Sequence, residues 1–341
     1  MVNRLHNGKL RLAIIGCGGI AGHLAMLARL NRRIHLVACC DRTDEAAARF
    51  AARFHIPHAY SDYAALLENS TPDAVYLAVP HDLHYGMLRA AIQAGRPVLC
   101  EKPVTRTLEE GQEIVRLAEA AGVRVGVNYQ YRYDRGCYAL ATAARQGLLG
   151  ELYYGHCNIP WQRDHSYFEQ GPWRGKLAQA GGGSLLTQGS HAVDILLWAM
   201  DSRPRRANGM IARRKFQGIE VEDLGMGSLE LENGALVQVC SSMDATPEQA
   251  LTIELYGENG TAVYTNRPYP RVRFLGVRVR PAHPPVWGLH ALQRSLEAFR
   301  RWVVQGQPYL TPAAEALPAL AAVLAIYRSA QSGKTEAVFP G

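Results

Sequence analysis

A glycine-rich turn near the start of the chain limits what the surrounding residues can fold into. Residues 10–15 read LRLAII, an apolar run of strand length, and residues 16–21 that follow read GCGGIA. Gly16 permits a tight turn, Gly18 lets the backbone approach a pyrophosphate, and the small Ala21 allows a helix to pack closely on the strand. The N-terminus of that helix offers free N–H groups and the positive end of its dipole to phosphates. The turn therefore predicts a strand–loop–helix unit that binds a dinucleotide.

Apolar runs of strand length alternate with helical stretches through the rest of this region. The predicted strands are 10–15, 35–40, 74–79, 98–100 and 123–127, and the predicted helices are 20–30, 44–54, 62–67, 84–94 and 107–121. Thr107 and Glu110 have the spacing of a capping box at the start of the last helix. Continuous apolar strands separated by helices predict an α/β fold with a parallel sheet covered on both faces.

An acidic residue, Asp41, follows the second predicted strand. A carboxylate at this position accepts hydrogen bonds from both ribose hydroxyls and repels a 2′-phosphate, so it favours NAD over NADP. The next residue is Arg42, whose guanidinium could hold such a phosphate, so NADP stays open as a cofactor.

Composition and charge narrow the class of protein further. The 341 residues are 48% hydrophobic and 20% charged, which predicts a globular chain of two domains. The net charge of +7 is scattered, so we expect a solvated surface and no nucleic-acid partner. We expect a cytoplasmic protein without a membrane partner, because residues 1–11 lack the apolar core of a secretory signal and no apolar run approaches the roughly 20 residues of a spanning helix. Seven cysteines without C-x-x-C spacing predict reduced core residues and no metal site.

Two distinctive motifs lie at the ends of the later predicted strands. Residues 80–84 read PHDLH and residues 94–103 read AGRPVLCEKP, while further along residues 181–183 are GGG and residues 189–194 read GSHAVD. This combination resembles the Gfo/Idh/MocA family of nicotinamide-dependent oxidoreductases, named for glucose–fructose oxidoreductase, inositol dehydrogenase and rhizopine catabolism. The resemblance covers nearly the whole chain. Further matches are YRY at 131–133, GLLG at 147–150 and WR at 173–174.

The resemblance implies an N-terminal Rossmann domain and a C-terminal α/β domain with a large, mostly antiparallel open sheet. We predict residues 1–127 as the NAD(P)-binding domain and residues 128–341 as the domain for substrate binding and oligomerisation. The same resemblance implies a homodimer or a homotetramer.

Turn signals in the second half agree with an antiparallel sheet. Residues 220–232 and 235–243 flank Asn233-Gly234, which predicts a hairpin with a two-residue loop. A second hairpin is predicted from residues 251–256 and 261–264, which flank GENG. Two helices are predicted after these strands, at 289–304 and 311–329, with Pro312 suited to a first helical turn.

Lys102 is the first predicted catalytic residue. It follows the strand that ends at Cys100, so it lies at the carboxyl edge of the parallel sheet, outside which ligands bind. An ammonium group there can hydrogen-bond the oxygen that changes oxidation state and can shuttle a proton. The neighbouring Glu101 is predicted to orient this lysine or the nicotinamide. A surface lysine after a strand is the alternative, which the family match disfavours.

His191 is the second predicted catalytic residue. It lies on a helix that begins in the glycine run, and Asp194 follows on the same face. Imidazole titrates near neutrality, so His191 can act as the base in alcohol oxidation or the acid in ketone reduction. Spacing alone allows a buried core histidine capped by Asp194; the family resemblance favours the catalytic role.

One position departs from the family pattern. Dehydrogenases of the family often have Asp four residues before this histidine, where the present chain has Thr187. Threonine cannot supply a charge to stabilise an imidazolium. The departure indicates a ketoreductase, a relative that acts on nucleotide sugars, or a proton relay that uses Lys102 and His191 alone.

Aromatic and basic residues cluster before the glycine run: Trp161, Arg163, Tyr167, Phe168, Trp173 and Arg174. Aromatic faces cover the C–H surfaces of sugar rings, whereas Arg and Gln bind hydroxyl or anionic groups. The predicted substrate-binding residues are Arg132, Trp173, Arg174, Gln188 and Asp194. The predicted cofactor-binding residues are Gly16, Gly18, Gly19, Ile20, Ala21, Asp41, Arg42, Val79, Pro80, His84, Glu101 and Lys102.

The sequence thus predicts an NAD(P)-dependent oxidoreductase that acts on a secondary alcohol or ketone of a sugar, a sugar derivative or a cyclitol. Two alternatives keep the same scaffold. One is a glycoside hydrolase that retains NAD and oxidises its substrate transiently, which the family also contains. The other is a non-catalytic nucleotide-binding sensor, against which the presence of both Lys102 and His191 argues.

Overall fold

The computed structural model describes residues 8–339, which divide into two compact units. The first unit is formed by residues 8–105, 109–130 and 285–315. The second unit is formed by residues 106–108, 131–284 and 316–339.

A six-stranded parallel sheet forms the centre of the first unit. Its strands are β1 (Leu10–Ile15), β2 (Ile34–Cys40), β3 (His58–Tyr60), β4 (Ala74–Leu77), β5 (Val98–Cys100) and β6 (Val125–Val127). The helices that join them are α1 (Gly19–Leu30), α2 (Asp44–Phe54), α3 (Tyr63–Asn69), α4 (His81–Gln93) and α5 (Leu108–Ala121). The spatial order β3-β2-β1-β4-β5-β6 is that of a doubly wound dinucleotide-binding fold. The predicted parallel α/β sheet is confirmed; only the three-residue β3, which has no apolar run, is not predicted.

The carboxyl ends of these strands meet at one edge, because all neighbouring strands run parallel. Gly16 follows β1, Asp41 follows β2 and Glu101 follows β5. The backbone N–H of Glu101 donates to Leu77 O at 2.9 Å, which ties the end of β5 to the end of β4. Ligands of open parallel sheets bind outside these ends. The fold therefore collects the predicted cofactor residues at one edge of the sheet.

A later segment returns to the first unit. Helix α10 (Ala291–Gln305) packs on α1 and β1. Beyond it, Val127 N donates to Thr311 O at 2.9 Å and Thr311 Oγ1 donates to Val127 O at 2.7 Å. The single predicted boundary after residue 127 does not include this return, because residues 285–315 belong with the first unit. The sequence pattern predicts the helix but does not indicate what the helix packs against.

An eight-stranded sheet forms the second unit. Its strands are β7 (Leu152–Pro160), β8 (Pro204–Ala212), β9 (Leu224–Leu231), β10 (Leu236–Ser242), β11 (Thr252–Gly257), β12 (Thr261–Thr265), β13 (Arg271–Leu275) and β14 (Glu336–Ala337). Their order is β13-β12-β11-β7-β10-β9-β8-β14, and every neighbouring pair is antiparallel except β7 with β10. The helices are α6 (Arg135–Arg145), α7 (Ser166–Glu169), α8 (Leu177–Ala180), α9 (Ser190–Met200) and α11 (Ala313–Ser332). The mostly antiparallel second sheet is confirmed, and β7, β8, β13 and β14 are additions to the prediction.

The hairpin between β9 and β10 differs in its turn from the prediction. Gly234 N donates to Leu231 O at 3.0 Å, and Leu231 N donates to Ala235 O at 2.9 Å. Gly234 has a φ of 85°, whereas Asn233 does not have a positive φ. A two-residue type I′ loop needs positive φ at both central residues, so this turn is the longer form, a type I turn closed by a left-handed glycine.

Helices cover one face of the eight-stranded sheet. A Cβ added to Gly155 would lie 2.9 Å from Leu196 of α9, and one added to Gly209 would lie 2.5 Å from Ile326 of α11. Side chains that point the other way alternate with these positions, and among them Met210 is 73% and Leu236 is 58% exposed. The second face of the sheet therefore presents apolar side chains at its surface.

Helix α11 qualifies by length and composition as a segment that could cross a membrane. It is 20 residues long and its most apolar window has a mean hydropathy of 1.3. Ala319, Leu320, Val323 and Ile326 of this helix are buried inside the protein, as expected for the core helix of a globular unit. The expectation of no membrane partner stays a prediction.

Candidate active site

The glycine turn of the first unit has the geometry that pyrophosphate binding requires. Gly16 has a φ of 87°, and a Cβ there would lie only 2.3 Å from Ala78 O, so no other residue fits without a backbone shift. A Cβ added to Gly18 or Gly19 would meet no described atom within 4 Å. Gly18 is the N-cap residue of α1 and supplies no side-chain hydrogen bond, which leaves the helix N-terminus open to an anion.

Asp41 connects the end of β2 to this turn. Its Oδ2 accepts a hydrogen bond from Cys17 N and its Oδ1 accepts one from Arg42 N, both at 2.7 Å. A carboxylate has about four acceptor positions, so two remain for ribose hydroxyls. Arg42 is exposed beside it. The turn, the open helix end and this carboxylate together fit a dinucleotide such as NAD.

His84, a predicted cofactor contact, lies between two backbone carbonyl groups. The residue is fully buried, with Nδ1 2.7 Å from Pro103 O and Nε2 3.0 Å from Val79 O. Burial lowers the pKa of this imidazole, and a neutral ring donates only one proton to the two carbonyls. His84 therefore links the backbone that follows β4, at Val79, to the backbone that follows β5, at Pro103. A contact between His84 and the cofactor stays a prediction.

Glu101 and Lys102 follow β5 and are both half-buried. Glu101 Oε1 accepts hydrogen bonds from the hydroxyl of Tyr76 at 2.5 Å and from Asn128 Nδ2 at 2.7 Å. Burial raises the pKa of Glu101, while these two donors and the charge of Lys102 act in the opposite direction. The carboxylate of Glu101 is therefore held by protein groups next to the predicted catalytic lysine.

In the second unit, the glycine run is required by packing. A Cβ at Gly182 would lie 2.4 Å from the hydroxyl of Tyr327, and one at Gly183 would lie 1.8 Å from Glu222 O. The carboxylate of Glu222 accepts hydrogen bonds from Gly183 N at 2.7 Å, Leu185 N at 2.9 Å and the Tyr327 hydroxyl at 2.7 Å. Glu222 thus fixes the start of the helical segment that leads to His191. Sequence reasoning misses Glu222, because a single glutamate far along the chain carries no local signal.

A π-helical turn, residues Leu185–Gly189, joins the glycine run to α9. Thr187, which stands where dehydrogenases of the family often have Asp, is neutral. Its Oγ1 donates a hydrogen bond to Gly183 O at 2.7 Å. Gln188 is 3% exposed, and neither atom of its amide has a hydrogen-bond partner within residues 8–339. Such π-turns frequently occur at functional sites. Gln188 therefore retains its donor and its acceptor for a ligand, consistent with its predicted role.

His191 lies in the first turn of α9 and is 8% exposed. Its ring meets that of Tyr131 edge-on, with the centroids 5.2 Å apart. Asp194 on the same helix is bonded by Arg132, whose Nε donates to Oδ2 at 2.9 Å and whose Nη2 donates to Oδ1 at 2.8 Å. The structure joins Arg132 and Asp194 in a buried ion pair, and their contact with substrate stays a prediction.

The aromatic segment before the glycine run divides into core and surface residues. Phe168 belongs to a buried cluster with Phe216 and Ile219, so its side chain is packing. The guanidinium of Arg174 lies 4.5 Å from the Tyr167 ring and 5.7 Å from the Trp173 ring, and its Nη1 donates to Tyr167 O at 2.7 Å. The two rings and the guanidinium between them form a partly exposed surface of the kind that sugar rings bind.

Comparisons with known proteins agree with these features. Residues 10–129 match the model of an oxidoreductase family with an NAD-binding Rossmann fold, and residues 138–263 match the GFO/IDH/MocA C-terminal domain. The chain is 28% identical to the 1,5-anhydro-D-fructose reductase of Ensifer adhaerens, over 97% of this chain and 99% of that protein. It is 28% identical to the inositol 2-dehydrogenase of Acidothermus cellulolyticus, over 97% and 96% of the two chains.

A solved structure extends the likeness to the whole fold. The WlbA dehydrogenase from Bordetella pertussis, determined in complex with NADH and UDP-GlcNAcA, superimposes with a TM-score of 0.86. The two chains are 28% identical, and the alignment covers 98% of this chain and 99% of that one. Both family models, full-length relatives and this fold give the same result: the chain belongs to the Gfo/Idh/MocA family of NAD-binding oxidoreductases.

Proposed function

We propose that the protein transfers a hydride between NAD and a secondary alcohol or ketone of a sugar, a sugar derivative or a cyclitol. The observation that carries the proposal is the position of Lys102, two residues after the end of β5, at the sheet edge that also holds the glycine turn and Asp41. The names of the relatives support the substrate class, since one reduces an anhydro-sugar and another oxidises inositol.

The cofactor is held by groups of the first unit. N–H groups at the start of α1 bind the pyrophosphate, Gly16 and Gly18 allow its close approach, and Asp41 accepts from the ribose hydroxyls. When bound, NAD accepts or donates a hydride at C4 of its nicotinamide. Because Asp41 would repel a 2′-phosphate, NAD binds more tightly than NADP.

Lys102 hydrogen-bonds the oxygen of the reacting carbinol and stabilises negative charge as it develops there. In oxidation, His191 would accept the hydroxyl proton and the C–H hydrogen would pass as hydride to the bound NAD, which leaves a ketone. In reduction His191 returns the proton to the oxygen. Because Thr187 is neutral, the relay uses the ammonium and the imidazole without a carboxylate at that position. Trp173, Arg174 and Gln188 bind the substrate.

A binding and turnover survey tests the proposal. The purified protein is titrated with NADH and NADPH by fluorescence, then mixed with NAD or NADH and a panel of sugars, sugar acids, inositols and their keto forms. We expect tighter binding of NADH than of NADPH, and turnover with at least one polyol or ketone. Absence of nucleotide binding contradicts the proposal. Release of an aglycone from a glycoside, without net NADH, would instead identify the NAD-retaining hydrolase.

We also propose that the protein is a homodimer or homotetramer that pairs through the open face of the eight-stranded sheet. Tyr154 and Tyr256 stack on this face with centroids 4.2 Å apart, close to the exposed Leu236 in the adjoining strand. Exposed apolar surface of this kind marks protein interfaces. In light scattering, Leu236→Asp should reduce the oligomer mass. Leu30→Asp, on the exposed part of α1, serves as the control and should not. A monomeric wild type contradicts the proposal.

A further inference from the structure

A buried chain of hydrogen bonds runs from helix α10 to Glu101 within the first unit. Ser295 Oγ donates to Asn128 Oδ1 at 2.7 Å, and Asn128 Nδ2 donates to Glu101 Oε1 at 2.7 Å. The hydroxyl of Tyr309 lies 2.8 Å from Ser295 Oγ. Ser295 and Asn128 have no exposed surface, and Tyr309 is 5% exposed. The chain therefore links a helix from the far end of the sequence to the residue before Lys102.

Donor count and distance give these bonds their direction. A hydroxyl has one proton, and that of Ser295 is used on the acceptor Asn128 Oδ1, so Tyr309 is the donor in the 2.8 Å contact, in preference to its longer contact of 3.5 Å with Val127 O. The reverse orientation of the Asn128 amide would place its oxygen against the carboxylate of Glu101, which is repulsive. All three donors consequently point toward Glu101.

Glu101 receives this chain at an oxygen that also accepts from Tyr76. The titratable groups around its carboxylate are Tyr76 on β4, Cys100 and Lys102 on either side in sequence, and Tyr309 at the start of the chain of bonds. Of these, only Lys102 carries a positive charge, and it favours the ionised carboxylate. Donors aimed at a carboxylate favour its charged form, whereas burial disfavours it.

We infer that Ser295 is a positioning residue: through Asn128 it orients the carboxylate of Glu101 beside Lys102 and keeps that carboxylate charged. The return of residues 285–315 to the first unit is thereby part of the active-site machinery and not only a structural brace. The inference rests on the proposed function for its catalytic meaning. The hydrogen-bond chain itself is observed in the structure and does not depend on that function.

The test is an infrared pH titration of Glu101 in the cofactor-free protein. The carboxyl band is assigned by subtraction of Glu101→Gln and followed in wild type and Ser295→Ala. Without the serine hydroxyl, the Asn128 amide can turn and donates less well to Glu101. The pKa of Glu101 should therefore rise by about one unit, a smaller effect than the complete loss of a hydrogen bond to a charged group. Ser329→Ala removes another buried helix hydroxyl, in the second unit, and should leave the titration unchanged.

A second variant covers the case in which Ser295→Ala does not fold. Tyr309→Phe keeps the ring that stacks on Trp302 and removes the hydroxyl that donates to Ser295, so the pKa of Glu101 should rise by a smaller amount. Equal titration of Glu101 in wild type and in every folded variant overturns the inference.

The proposed function and the inference fail in different ways. If the wild type shows no turnover, the proposed function fails, whereas the infrared shift still decides the inference. With an active enzyme, the acidic limb of kcat should move to higher pH in Ser295→Ala.

Discussion

The guanidinium of Arg132 binds the carboxylate of Asp194 through two parallel hydrogen bonds of 2.8 and 2.9 Å, with both side chains almost inaccessible to solvent. The indole of Trp198 lies under the guanidinium at 5.2 Å. Bidentate pairs of this kind fix the relative orientation of the elements that carry them. The pair therefore joins the segment after β6 to helix α9, on which His191 lies.

This pair predicts a stability defect rather than a substrate-binding defect. Asp194→Asn replaces the carboxylate of this buried ion pair with a neutral amide, so the free energy of unfolding in urea should fall by about 3–5 kcal/mol. Glu230→Gln removes the exposed pairs with Arg205 and Arg206 and should cost about 1 kcal/mol or less. If Asp194→Asn keeps wild-type stability and raises only the KM for substrate, Asp194 is a substrate ligand and the structural role is wrong.

Glu222 predicts a pH-dependent contribution to stability with a definite sign. Burial raises the pKa of its carboxyl above the ordinary 4.5, against the donors from Tyr327 and the glycine run. The folded state therefore binds a proton more tightly than the unfolded state, so this contribution falls as pH rises from about 4.5 through the folded pKa.

The comparison with Glu222→Gln isolates this effect. The variant loses an acceptor for backbone N–H groups and should be less stable by about 1–3 kcal/mol. Its deficit should shrink as pH rises above 4.5, because only the wild type pays for ionising a buried carboxyl. Urea unfolding at a series of pH values measures this difference. A deficit that grows with pH in this window contradicts the assignment.

Asp41 predicts the choice between the two nicotinamide cofactors. Asp41→Ser keeps an acceptor for Cys17 N but removes the charge that would repel a 2′-phosphate, next to the exposed Arg42. The ratio of the NADPH and NADH dissociation constants should shift toward NADPH by about tenfold, or 1.4 kcal/mol. Asp44→Ser, in the first turn of α2, removes a nearby negative charge and should leave the ratio unchanged. Equal shifts in both variants would mean that general charge, and not a ribose contact, sets the preference.

The parts of the site that depend on local order could be predicted from the sequence. Gly16 and Asp41 directly follow an apolar strand and Lys102 comes two residues after one, and parallel pairing then brings the strand ends to one edge. Turn type at Asn233-Gly234 was not predictable, because the same dipeptide suits both loop lengths, and register decides between them.

Contacts between distant segments could not be predicted. Glu222 reaches the glycine run and Ser295 reaches Asn128 from positions far along the chain, and neither has a sequence signal of its own. The sequence also could not tell that His84 would be buried between two carbonyls, or that Arg132 and Asp194 would form a buried ion pair. Tertiary packing decides whether a polar side chain near a site bonds the ligand or another protein group. A sequence pattern does not specify that packing.

Lys102→Met tests the central claim most directly, because methionine keeps the length and apolar stem of lysine and removes the ammonium. The measurement is single-turnover hydride transfer with a substrate from the survey, together with a fluorescence titration of NADH on the same preparation. Removal of a group that stabilises charge or moves a proton predicts a loss of about 10²–10⁴ in the transfer rate, with NADH affinity changed by less than about tenfold. Hydride transfer at the wild-type rate in Lys102→Met would contradict the account.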